Sequence, residues 1–173
     1  MSRLSRHCLP LFVLILLAQN CYADQGATSN PKTGYLYGRV VGITDGDTLT
    51  LLTAEKEQVK IRLAEIDTPE RGQPYGRKAK DALSKLVFNQ DVAVRYVDTD
   101  RYGRTVGRIY IGDLDVSAEM VRRGAAWVYH KYATAGGLYA LETEAREAKR
   151  GIWSLPEAQR EPPWEWRKTR RHN

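Results

Sequence analysis

The stretch ITDGDTLTLLTAEKEQVKIRLAEIDTPE, residues 43–70, decides how this chain folds. Two tight acidic clusters bound it, Asp45-Gly46-Asp47-Thr48 and Asp67-Thr68-Pro69-Glu70. Asp-Gly between apolar runs is a strong hairpin signal. Thr48 to Thr53 reads as the return strand, with Leu49 and Leu51 alternating against Thr48, Thr50 and Leu52. A strand-like run from Val59 to Ile66 follows, in which Val59, Ile61 and Leu63 alternate with Lys60, Arg62 and Ala64. That period of two sets Arg62 on the face opposite the apolar side chains. Each acidic cluster follows a strand end, so both can converge at one edge of a sheet with Arg62 beside them.

Upstream, Tyr35 to Ile43 reads as a strand whose glycines, Gly38 and Gly42, permit bending or close approach. Downstream, residues 71–77 form a Gly/Pro-containing loop, and from Arg77 the period changes. Ala79, Ala82, Leu83, Leu86 and Val87 share one face of a helix. Val92, Val94 and Tyr96 mark a fourth strand and Val106 to Ile111 a fifth, joined by the charged connection Asp98 to Gly103. Asp115 is placed to cap a short helix that ends at Gly124. Leu138, Leu141, Ala145 and Ala148 mark a last helix, supported by Glu142 and Arg146 and stopped at Gly151. The expected fold is α+β, mainly β, over residues 35–154: a five-stranded OB-type β-barrel with three helices. The element count alone also fits other α+β folds.

The two ends read differently. Residues 1–23 have a basic start (Arg3, Arg6, His7), an apolar run from Leu9 to Ala18, and a small residue at Ala23. This is the pattern of a secretory signal peptide cut after Ala23. A membrane anchor or a lipidated Cys21 are the alternatives, but the apolar run is short for a span and Gln19-Asn20 is polar. A periplasmic or secreted protein without a stable membrane anchor, and a monomer, is expected. Both cysteines, Cys8 and Cys21, lie in that segment, so the remainder holds neither disulfide nor cysteine-bound zinc. Residues 24–34 read as a flexible leader. Residues 155–173, with three prolines, Trp164, Trp166 and a basic end, read as a disordered tail. Formal charge is +6, which suits polyanionic partners such as nucleic acid.

The candidate chemistry lies in the same motifs. Hard divalent cations take oxygen ligands, and Asp47 and Asp67 supply oxygen with charge. Taken singly, Asp-Gly-Asp is as good a hairpin turn, and Thr-Pro-Glu as good a helix start. Arg62 and Arg104 carry guanidinium forks that match the equatorial oxygens of a phosphoryl transition state. Each read alone is equally a solvated charge. Glu70 is a carboxylate placed to position or deprotonate water. The run Trp127-Val-Tyr129-His-Lys-Tyr132 offers ring faces that stack on bases, or that pack against the core, and Trp127 is expected in the core. His130 reads as a surface residue, which leaves a histidine mechanism poorly supplied.

Asp-Gly-Asp-Thr48, then Arg62-Leu-Ala-Glu-Ile-Asp67-Thr68-Pro69-Glu70, then Asp100-Arg-Tyr-Gly-Arg104, resemble the staphylococcal (micrococcal) nuclease family, also called thermonucleases. The similarity runs more loosely from about Tyr35 to Trp153. The resemblance implies the OB-type barrel, and calcium-dependent hydrolysis of DNA and RNA at the 5′ P–O bond to give 3′-phosphates. It implies that single-stranded or locally melted substrate is preferred. It implies Asp47, Asp67 and the Thr68 carbonyl as Ca2+ ligands, with Asp45 as a supporting acid. Arg62 and Arg104 match the catalytic arginines, Glu70 the glutamate drawn as general base, and Tyr102 a nucleotide-pocket tyrosine. Tyr129 and Tyr132 lie where the family places base-stacking tyrosines, at a different spacing. The loop after Glu70 is shorter than the family's. Two other functions share these features: a non-catalytic nucleic-acid-binding OB module, and a secreted calcium-binding interaction protein.

Overall fold

The computed structural model describes residues 34–134 and 136–170. The expected signal peptide and nearly all of the leader lie outside the described residues. Strands β1 (Tyr35–Ile43), β2 (Thr48–Leu52) and β3 (Gln58–Leu63) form an antiparallel meander. Then come β4 (Ile66–Asp67), α1 (Gly76–Val87), β5 (Asp91–Thr99), β6 (Thr105–Ile111) and β7 (Leu114–Asp115). The chain continues through α2 (Val116–Arg122), β8 (Trp127–Val128) and α3 (Gly136–Glu147). Two short 3-10 turns lead to α4 (Pro163–Thr169). The sheet order is β3-β2-β1-β5-β6-β7, and a parallel pairing of β3 with β6 closes strands β1, β2, β3, β5 and β6 into a five-stranded barrel.

The alternating leucines, isoleucines and valines point inward as their period requires. Val40, Leu49, Leu51, Ile61, Leu63, Val94 and Ile109 fill the barrel, and Leu83 and Val87 of α1 and Met120 and Val121 of α2 pack against it. Asp115 caps α2, accepting a hydrogen bond from the Ala118 amide, as its place before the helix predicts. The ends of β1, β3 and β5 and the starts of β2 and β6 lie together at one end of the barrel, as the registers of the neighbouring pairs require. Both acidic clusters and Arg104 are therefore delivered to that end.

Two details depart from the sequence reading. The run from Val59 to Ile66 is not one strand. It breaks after Leu63, turns through Glu65 at φ 66, and leaves the barrel so that Ile66 and Asp67 pair with Val128 and Trp127. On an unbroken strand Arg62 and Asp67, five apart, would face opposite sides. The turn is what lets them meet. The tail, expected to be disordered, is ordered through residue 170 and adds a fourth helix. Its prolines preset the start of α4, and Trp164 gives it an aromatic nest, with ring centroids 6.1 Å from Trp127 and 5.3 Å from Tyr129. Residues 171–173 lie outside the described residues. Among the described residues no helix is long and apolar enough to cross a membrane.

Candidate active site

The β1–β2 turn packs directly on the Asp67-Thr68 segment. A Cβ on Gly46 would lie 2.7 Å from the Thr68 hydroxyl oxygen and 2.9 Å from the Ala79 Cβ. Glycine is needed here for close approach, and that approach brings the two acidic clusters together. The turn is fixed by the Asp45 carboxylate, which accepts from the Asp47 amide at 3.1 Å. The Asp47 carbonyl accepts from the Leu63 amide.

One guanidinium spans both clusters. Arg62 donates from Nη1 to Asp47 Oδ1 at 2.9 Å and from Nη2 to Asp67 Oδ1 at 3.0 Å. The Thr68 amide donates to Asp47 Oδ2 at 3.3 Å. Asp67 is fully buried, and Asp47 and Thr68 nearly so. Burial pushes the Asp47 carboxyl up to about 6, with Asp45 adding to the effect and Arg62 opposing it. Burial likewise pushes Asp67 up, against its hydrogen bond from Arg167. Two carboxylates taken out of water, with a third beside Asp47, hold their protons more tightly than usual despite the guanidinium groups that reach them.

Arg104 reaches the same place through one hydroxyl. Its Nη1 donates to Thr48 Oγ1 at 3.2 Å, and that hydroxyl donates to Asp47 Oδ1 at 3.0 Å. The guanidinium is aimed by Asp100, which accepts from Arg104 Nε at 2.7 Å and from the backbone amides of Tyr102 and Arg104. Asp100 thus folds the β5–β6 turn and points the arginine. Thr48 and Asp100 both stand in the quoted motifs, but the sequence reading gave neither a role. The Asp100/Arg104 spacing was their visible trace. Tyr102 is exposed at the rim, with the Arg104 guanidinium 5.6 Å from its ring centre.

Glu70 stands half-exposed where the chain enters α1, its amide bonded to the Gln73 side chain. Tyr129 and Tyr132 meet edge to face at 5.0 Å, and Tyr132 is exposed. Trp127 is buried and His130 exposed, as expected. The surprise is Arg167 of α4. It donates to Asp67 Oδ1 at 3.2 Å, to Asp67 Oδ2 at 2.6 Å and to Glu70 Oε1 at 2.7 Å. Nothing in the spacing of the tail signalled this contact, which spans 100 residues of sequence.

The donor set fits a hard cation. Guanidinium groups of Arg62 and Arg167 bridge the very oxygens that such an ion would take. Among the described residues no three Asp, Glu, His or Cys side chains are grouped to hold an ion. The two aspartates would therefore need the Thr68 carbonyl and water to complete a coordination shell.

A family model for staphylococcal nuclease homologues matches residues 60–155. The chain belongs to the staphylococcal nuclease family. A micrococcal nuclease of Shigella flexneri is 40% identical over 151 residues, covering 81% of this chain and 85% of that protein. An uncharacterized endonuclease of Escherichia coli O157:H7 is 47% identical over 133 residues, covering 76% and 85%. A probable staphylococcal-like nuclease of rice, Oryza sativa subsp. japonica, is 40% identical over 116 residues, covering 67% of this chain and 34% of that protein. Membership of this family supports an endonuclease.

Proposed function

We propose that the chain is a calcium-dependent endonuclease, periplasmic or secreted, that hydrolyses DNA and RNA at the 5′ P–O bond and leaves 3′-phosphates. The observation that carries this reading is the convergence of Asp47, Asp67, Arg62 and Arg104 on one end of the barrel. Arginine and carboxylate in that arrangement match the demands of phosphoryl transfer, where charge builds on equatorial oxygens.

Asp47, Asp67 and the Thr68 carbonyl would hold the ion. Calcium, when bound there, would neutralise phosphate charge and polarise the attacking water. Glu70 would position the attacking water and take its proton. Arg62 donates to a phosphate oxygen as charge develops, and Arg104, aimed by Asp100 through its Nε, does the same from the other side. The 5′-oxygen leaves with a proton from solvent, and the phosphate stays on the 3′-oxygen. Tyr102 packs on the nucleotide, and Tyr129 and Tyr132 stack on bases. Arg71, Arg77 and Lys78, which line a groove in the segment after Glu70, receive the rest of the phosphate backbone.

The deciding experiment digests single- and double-stranded DNA and RNA with calcium, with magnesium and with chelator, then identifies the new ends. Calcium-restored cleavage yielding 3′-phosphates is expected. Undiminished cleavage in chelator would end the calcium assignment. Binding without cleavage under every condition would make the chain a nucleic-acid-binding module.

A further inference from the structure

The last helix sits where ion and substrate would go. Arg167 is the one donor to Asp67 Oδ2 among the described residues, and the one donor to the Glu70 carboxylate. Three residues earlier, Trp164 lies parallel to Tyr129, with centroids 5.3 Å apart and planes 5° apart. That is the geometry of an aromatic base on a tyrosine face. Residues i and i+3 share one side of a helix, so a single turn of α4 delivers an indole to the stacking tyrosine and a guanidinium to the carboxylates. The seat is anchored a third time, where the Gln73 side-chain amide donates to the Glu161 carbonyl.

We infer that α4 is an intramolecular plug: it holds the nuclease closed by standing in for the cation at Asp67 and Glu70 and for a base at Tyr129. The inference rests on the proposed metal and substrate sites and goes beyond them. The contacts are self-limiting. A guanidinium brings one charge where a calcium ion brings two. Arg167 donates to Asp67 and Glu70, while Asp47 takes its donors from Arg62, Thr48 and Thr68. Trp164 stays half-buried rather than fully enclosed. A tail held this way yields when ion and polynucleotide arrive together, which confines the open site to places where both are present.

Competition has a measurable form. A tail seated about nine-tenths of the time weakens apparent calcium affinity about tenfold. Calcium is titrated calorimetrically into the full chain, into Arg167→Ala and into Trp164→Ala. Arg167→Ala is expected to bind about tenfold more tightly. Trp164→Ala keeps every charge at the carboxylates, so its tighter binding separates tail release from simple loss of a repelling cation. By linkage, calcium should speed amide exchange across residues 163–169 in the unmutated chain. Equal or weaker calcium binding by Arg167→Ala overturns the plug, as does unchanged binding by Trp164→Ala. Calcium bound by all three with one affinity rejects the plug and leaves the metal site standing. Calcium bound by none rejects both.

Discussion

Two arginine–carboxylate clusters flank the turn at Glu65, and they are built to opposite ends. On one side Arg108 of β6 donates from Nε to Glu65 Oε2 at 2.6 Å and from Nη1 to Asp115 Oδ2 at 3.0 Å. The other oxygen of Glu65 takes the Thr134 amide and hydroxyl, and the other oxygen of Asp115 takes the Ala118 amide. Burial pushes the Glu65 carboxyl up, but hydrogen bonds from Thr134 and the charge of Arg108 outweigh it and hold the group below the usual range. On the other side Arg62 is shared between Asp47 and Asp67, with Asp45 close behind, and burial leaves both acids above the usual range. The oxygens of Asp47 and Asp67 are also all met, by Arg62, Thr48, the Thr68 amide and Arg167. The clusters differ in balance: at Glu65 the donors outweigh burial, whereas at Asp47 and Asp67 burial outweighs the donors, which marks the second as the candidate ligand site.

The largest effect expected from this contrast is catalytic. Arg62→Ala and Arg104→Ala should each lower the cleavage rate about a thousandfold with the fold retained. Arg108→Ala, at the self-sufficient cluster, should leave the rate per folded molecule within about threefold of the parent, since it touches no candidate substrate atom. Initial rates on single-stranded DNA, normalised by circular dichroism, decide it. Wild-type-like turnover by Arg62→Ala or Arg104→Ala removes that arginine from the mechanism. A large rate loss in Arg108→Ala would dissolve the distinction between the clusters.

The same contrast explains what the sequence could and could not reveal. Alternation located the barrel strands, and Arg62 fell on the predicted face, because a half-buried strand must repeat every two residues. The acidic clusters were legible as motifs because turns and metal sites both concentrate Asp, Gly and Thr. Their convergence beside Arg62 was legible too, because each cluster follows a strand end; the turn that achieves it was not, since Glu65 adopts a left-handed backbone that few non-glycine residues take. The role of Asp100 hid inside an ordinary-looking charged turn. The tail helix is hidden for a related reason: prolines and basic residues signal solvation unless something folded receives them. What receives α4 is a pair of carboxylates and a tyrosine from remote parts of the chain, and local patterns do not encode that kind of fit.

A second, smaller difference is in stability. Removing Arg108 takes the shared cation from Glu65 and Asp115, both largely shielded from water, and should cost about 2 kcal/mol. Removing Arg62 should also destabilise the calcium-free protein, because it takes a charged donor from each of the buried Asp47 and Asp67, leaving Asp67 to Arg167 and Asp47 to the neutral donors of Thr48 and Thr68. The two losses part company when calcium is added. A bound divalent ion replaces the charge of Arg62 but does nothing for Glu65 and Asp115. Urea midpoints with and without calcium should therefore show recovery in Arg62→Ala that exceeds the gain in the parent, and no such excess in Arg108→Ala. Equal calcium responses in the two variants would mean that the ion does not lie between Asp47 and Asp67.

The smallest difference is one of sign, and it appears in calcium-free protein as the pH is lowered. Asp47 binds its proton more tightly folded, at about 6, than its ordinary value of 3.8. Across that interval the folded state carries more protons than the unfolded one, so stability rises as pH falls through 6 and the gain is complete below 3.8. Glu65 runs the other way. Its folded value lies below its ordinary 4.5, so its contribution is fully present above 4.5 and is lost as pH falls through the folded value. Thermal midpoints in chelator should thus rise by a few degrees between pH 7 and pH 5 and turn down below pH 4.5. Asp47→Asn should flatten the rise and leave the downturn, whereas Glu65→Gln should soften the downturn and leave the rise. A midpoint that falls steadily from pH 7 would show that Asp47 is already satisfied without an ion, and the two clusters would then be alike.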